Sequence, residues 1–168
     1  MSISMYQVSI PVLVRALNNL SAVLKKGAEH AKERHIAEEV LLHTRITPDM
    51  FPLVRQVQIA TDMAKGAGYR LAGQDVPSMA DDETTFEQLQ ARIEKVIGML
   101  NAFTPAQIDG SETREVVVKS RSGETKFNGQ DYLLGFVMPN VYFHCTTAYA
   151  ILRGVGVVLG KMDFIGAR

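Results

Sequence analysis

The chain has no tryptophan, one cysteine and no net charge, and each scarcity closes off a class of function. With Cys145 the lone thiol, no internal disulfide can form, which fits a reducing compartment. Lys plus Arg and Asp plus Glu stand at 18 each, so the basic surplus expected of a nucleic-acid binder is missing. The longest basic clusters are short: the pair Lys25-Lys26, and the scattered Arg114, Lys119, Arg121 and Lys126. No uninterrupted apolar run approaches the roughly 20 residues of a membrane span. The start, Met1-Ser-Ile-Ser-Met-Tyr-Gln, lacks the charge and apolar stretch of a signal peptide. The expectation is a cytoplasmic protein with no nucleic-acid and no membrane partner. A neutral surface leaves self-association open, because little repulsion opposes it.

What is present is an ordinary globular balance. Hydrophobic residues make up 46% and charged residues 21% of 168 residues, enough for one domain over 1–168 with its own core. Helix one is expected from Ser4 to about Ala28, with Ile10, Leu13, Leu17, Leu20 and Leu24 at threes and fours. Ser4 with Gln7 suits a capping box, and Pro11 predicts a bend. A charged connector with one short helix follows around Val40, Leu41 and Leu42. Thr47-Pro48-Asp49-Met50-Phe51-Pro52 signals helix two, to about Leu71 and Gly73, with Leu53, Gln56, Val57, Ala60, Ala64, Ala67 and Leu71 inward. Gln56 is the polar exception on that face.

Thr85 and Gln88 suit a second capping box, with Asp81, Asp82 and Glu83 near the helix's positive end. Helix three carries Phe86, Leu89, Ile93, Val96, Leu100 and Phe103, and stops at Thr104-Pro105. Residues 115–119 and 124–128 then read as a hairpin around Ser120 to Gly123. Asn128 caps helix four, which runs from about Gly129 to about Arg153. The pattern is an all-α four-helix bundle with a small β-hairpin before the last helix.

Helix four holds the candidate chemistry. Pro139 cannot donate to Gly135, four residues back, which predicts a bend and a free carbonyl. Asn140 and His144 are four apart and share one face, continued by Thr147 and Ile151. His144 is the strongest candidate, since imidazole can ligate a metal or act as a base near neutral pH. The alternative is a packed histidine bonded to a neighbouring amide or hydroxyl. Cys145 points about 100° away from His144, against a thiolate–imidazole dyad and for a small buried apolar role. His30 and His35 belong to the charged connector, His43 lies nearer the bundle mouth, and Asp49 and Asp62 read as ordinary helix acids.

Two blocks carry a resemblance. One is Leu42-His-Thr-Arg45-Ile-Thr-Pro48-Asp49-Met50-Phe51-Pro52 through Gln56 to Asp62, then Arg70 to Gly73. The other is Tyr142-Phe-His144-Cys-Thr-Thr-Ala-Tyr149-Ala-Ile-Leu-Arg153, with Gly156 to Phe164. Together they resemble an uncharacterised family, a domain of unknown function within the DinB/YfiT-like metalloenzyme superfamily. The resemblance implies a four-helix bundle with a long crossover, often a homodimer. It also implies a divalent metal, zinc or nickel, held by a His on helix two and an HxxxH pair on helix four. His144 matches the second His of that pair, Asn140 stands where the first would be, and Gln56 (or else Gln58) falls near the helix-two ligand. The metal set implied is therefore His144, Asn140 and Gln56, with carboxamides at two of its three positions. Two functions follow from the resemblance: a dimeric small-molecule-binding bundle with a degenerate metal site, or a metal-dependent hydrolase or thiol-dependent transferase centred on His144.

Overall fold

The computed structural model describes residues 3–120 and 123–166. Helix α1 (Met5–Glu33) starts at the expected capping box, where Ser4 Oγ accepts from Gln7 N–H and Gln7 Oε1 accepts from Ser4 N–H. It runs past Pro11 to Glu33, about a turn beyond the expected end. Its hydropathy and length are those of a span, yet its stripe of Leu13, Leu17, Leu20 and Leu24 is buried against the other helices. The connector holds the short α2 (Glu38–Leu42).

Helix α3 (Leu53–Leu71) begins after Pro52. The residues before it form a turn, with Met50 N–H bonded to Thr47 O. Every residue expected inward on α3 is buried, Gln56 included. Gly73 closes this end at φ +71, a left-handed conformation that glycine adopts without steric cost.

Helix α4 (Phe86–Asn101) is capped by Thr85 Oγ1 on Gln88 N–H, while Gln88 Oε1 reaches back to Thr84 instead of Thr85. Its whole apolar stripe is buried. It ends at Asn101, with Ala102 as its C-cap, and Thr104 then caps a further short helix, α5 (Pro105–Ile108).

The hairpin pairs β1 (Glu115–Ser120) with β2 (Gly123–Asn128) antiparallel, Val116 opposite Phe127. Its expected turn falls on Arg121 and Ser122, outside the described residues. The hairpin leans on the bundle through buried Val116 and through Phe127, whose ring packs 5.3 Å from Phe136 and 6.0 Å from Tyr132.

The last long helix is one rod in three parts: α6 (Gly129–Asp131), a π-helical stretch (Tyr132–Val137) and α7 (Met138–Gly154). Asn128 Oδ1 caps it by accepting from Asp131 N–H at 2.8 Å. The disturbance expected at Pro139 takes the form of the π stretch, in which Met138 N–H bonds to Leu133 O five residues back. A short α8 (Lys161–Ile165) then lies against α1.

Around the bundle the long helices run α1, α4, α3, α7 and back to α1. Helices α1 and α3, consecutive among the long four, face each other across the diagonal, so the connection between them crosses over. This is the expected all-α four-helix bundle with a hairpin before its last helix.

Candidate functional site

Helix α3 faces α7 on one side and α4 on another, and it buries polar side chains toward both. Toward α7, His144 is 8% exposed and Gln56 is 1% exposed. Gln56 Nε2 donates to Phe51 O at 2.8 Å, which leaves its Oε1 to face the imidazole. His144 Nδ1 lies 2.7 Å from that oxygen. An amide oxygen can only accept, so Nδ1 carries the proton and Nε2 keeps its lone pair. Nε2 has no side-chain or backbone partner among the described residues. Ser111 Oγ is the only fully buried side-chain polar atom left unpartnered among them, so the Nε2 edge reaches solvent. The Phe143 ring meets the imidazole edge-on at 5.2 Å and is itself 56% exposed.

Burial lowers the His144 pKa below its ordinary value, and the Arg55 charge lowers it further. The ring is therefore neutral at pH 7. It offers one acceptor nitrogen at the seam between α3 and α7, suited to a hydrogen-bond donor or to proton abstraction from a weakly held group.

Asn140 does not join the pair through its nitrogen. Its Nδ2 donates to Phe136 O at 2.7 Å, satisfying a carbonyl of the π stretch. Thr147 Oγ1 is likewise occupied, donating to Phe143 O at 2.8 Å. His43 Nδ1 lies 2.9 Å from Glu39 O on the surface, apart from the seam. Cys145 is buried, and burial pushes its thiol up to about 12, as suits an apolar filler.

Toward α4, α3 builds a charged centre that the pattern of the chain did not single out. Arg92 is 3% exposed, and each of its three nitrogens has a partner. Nε donates to Thr61 Oγ1 at 2.7 Å, and Nη1 to Ala80 O at 2.6 Å and Glu83 Oε1 at 2.9 Å. Nη2 meets Asp62 Oδ1 at 2.9 Å and Asp81 Oδ1 at 3.0 Å. Lys65 adds a bond to Asp62, Gln58 Nε2 donates to Glu83, and Arg55 joins Asp81 to Gln58. Burial alone would raise the Glu83 carboxyl pKa, but the Arg92 and Gln58 hydrogen bonds outweigh it and hold the pKa below the usual value. Asp62, expected as an ordinary helix acid, is thus part of a network around a buried guanidinium. Asp81 and Glu83, expected to favour a helix end, tie the loop before α4 to the bundle.

The chain and its fold match known proteins. Residues 5–165 match the family described as "Domain of unknown function (DUF1993)". The chain belongs to the DUF1993 family. This DUF1993 chain is also 37% identical to a DinB family member protein from Shewanella denitrificans, whose crystal structure superposes with a TM-score of 0.90. That match covers 97% of this chain and 92% of the other. No curated protein shows a significant match.

A divalent ion fits this DUF1993 seam poorly. Gln56 has both ends committed, Asn140 has its nitrogen on Phe136, and only His144 Nε2 offers a free strong donor. Among the described residues no three His, Cys, Asp or Glu side chains converge as a metal would need. One imidazole nitrogen and a neutral amide oxygen do not make the three firm ligands of a catalytic zinc.

The π stretch and the Arg92 centre were the features missed by sequence reasoning. Pro139 after Gly135 was the only signal for the first. A buried arginine within the stripe of α4 could have been suspected from Arg92 lying between Leu89 and Ile93.

Proposed function

We propose that this protein is a dimeric small-molecule-binding bundle in which the DinB-like metal position has become a neutral hydrogen-bonding site. The observation that carries the reading is the 2.7 Å contact between His144 Nδ1 and Gln56 Oε1. It turns Gln56 into a partner that orients the ring, and leaves Nε2 as a bare acceptor beside the Phe143 edge. A ligand of this seam donates one hydrogen bond to Nε2 and lays an apolar part against Phe143. Self-association is supported by the zero net charge and by the exposed apolar side chains of Phe51, Leu134 and Phe143.

Elemental analysis of protein grown with added zinc and nickel tests the degenerate-site part, with His144→Ala as control. Substoichiometric metal in both proteins is the expected result. One equivalent lost in His144→Ala would replace this reading with a metal-dependent one. Light scattering tests the dimer, which should weigh twice the 18.5 kDa chain. A concentration-independent 18.5 kDa would end that part of the proposal.

A further inference from the structure

Helix α7 turns a different side, that of Tyr142 and Cys145, toward α1. There α1, α7 and α8 line a half-open cavity of about 500 Å³, and His144 is not among its lining residues. Its size falls within the roughly 300–1,000 Å³ of small-molecule sites. Most of the wall is apolar, with Val12, Ala16 and Leu20 on α1, Phe164 on α8 and the buried Cys145 on α7. The α8 wall is fastened in place by α1. Asn19 Nδ2 donates to the carbonyls of Phe164 at 3.0 Å and Ile165 at 2.8 Å, and Lys26 pairs with Asp163 at 2.7 Å.

Among the described residues Arg15 is the one cation lining this cavity, and none of those lining it is an acid. Its Nη2 donates to Ile165 O at 3.1 Å. No carboxylate lies within ion-pair distance of it among the described residues. The remaining donors of a planar guanidinium suit a carboxylate held by two parallel bonds.

We propose that this cavity binds a small amphipathic carboxylate, its alkyl chain between α1 and α7 beneath Phe164 and its anionic head on Arg15. The site is separate from the His144 seam and does not depend on that reading. Calorimetric titration of the intact protein with decanoate, decanol and decylamine tests it. Decanoate should bind once per chain, at least about tenfold tighter than decanol, the worth of a charge-assisted hydrogen bond. Decylamine should bind weakest. Arg15→Gln should bring decanoate down to the level of decanol and leave decanol unchanged, and Ala16→Phe should abolish binding of both. Independently of any variant's folding, nuclear Overhauser contacts should join decanoate methylene protons to the Phe164 ring in the native protein. Failure of decanoate to bind, equal decanoate affinity in Arg15→Gln, or contacts to Phe143 instead of Phe164 would each overturn the proposal. So would a fall in molecular mass in Ala16→Phe, which would mean that a second copy of the chain covers this face.

Discussion

Helix α3 buries two polar centres of opposite character. Toward α7 it offers Gln56, which meets a single neutral imidazole. Toward α4 it offers Thr61 and Asp62, which with Asp81 and Glu83 surround a guanidinium, while Lys65 pairs with Asp62. The charged centre engages every nitrogen of Arg92 and joins α3, α4 and the loop between them. The neutral centre has one hydrogen bond across the seam and one nitrogen left bare. A saturated network suits holding a fold together, because each added partner removes an unpaired buried group. An unsaturated one suits binding, because it leaves a directional acceptor for something else. This is why the sparser centre is the functional candidate.

Removing the hub of the charged centre should have the largest effect. Arg92→Met leaves Glu83, Asp62 and Asp81 without their common partner, and urea unfolding should show a loss of about 3 kcal/mol or more. A loss under about 1 kcal/mol would mean that the network stabilises little. At the neutral centre, Gln56→Leu strands the Nδ1–H of His144 and the Phe51 carbonyl, at a cost of about 1–3 kcal/mol. Pairing it with His144→Phe should restore most of that loss, since an apolar pair leaves nothing unsatisfied. If the double variant is no better than Gln56→Leu alone, the two side chains are not coupled.

The stripes at threes and fours made α1, α3 and α4 legible, because a helix packed in a bundle must present one apolar face. Gln56 was legible for the complementary reason, interrupting a face that is otherwise apolar, and His144 because it sets an imidazole on the inward face of the last helix. That they bond to each other was not, since the pairing spans 88 residues. The Arg92 centre stayed hidden because Asp81 and Glu83 sit in a loop, where charge reads as solvation, and Asp62 reads as an ordinary helix acid. The π stretch was half legible: Pro139 announced a disturbance, but a bend and a wider turn answer the same missing donor. The cavity under α8 was not legible at all, because the contacts fastening α8 to α1 join residues 137–150 apart.

The two centres should also separate in pH. The folded-state pKa of His144 is depressed below its ordinary 6.5. Its contribution to stability is complete above 6.5 and declines as pH falls from there toward the folded value. Glu83 is depressed below its ordinary 4.5, so its contribution is complete above 4.5 and lost only at lower pH. Thermal unfolding from pH 8 to 3 should therefore fall in two stages, the upper one missing in His144→Gln. A single stage below 4.5 in the native protein would contradict the burial-driven shift of His144. The smallest effect is expected at Asn140→Ala, about 0.5–1 kcal/mol, since a half-buried amide bonded to one carbonyl contributes little. A much larger loss would place Asn140 inside the site after all.

The state of the His144 ring is the claim on which the binding reading turns. A long-range proton–nitrogen correlation spectrum of protein labelled with ¹⁵N-histidine, taken at pH 7 without added ligand, reads it directly. The account predicts a neutral His144 with the proton on Nδ1 and a bare, unmetallated Nε2. A proton on Nε2, a charged ring or a metal-shifted Nε2 resonance would contradict it.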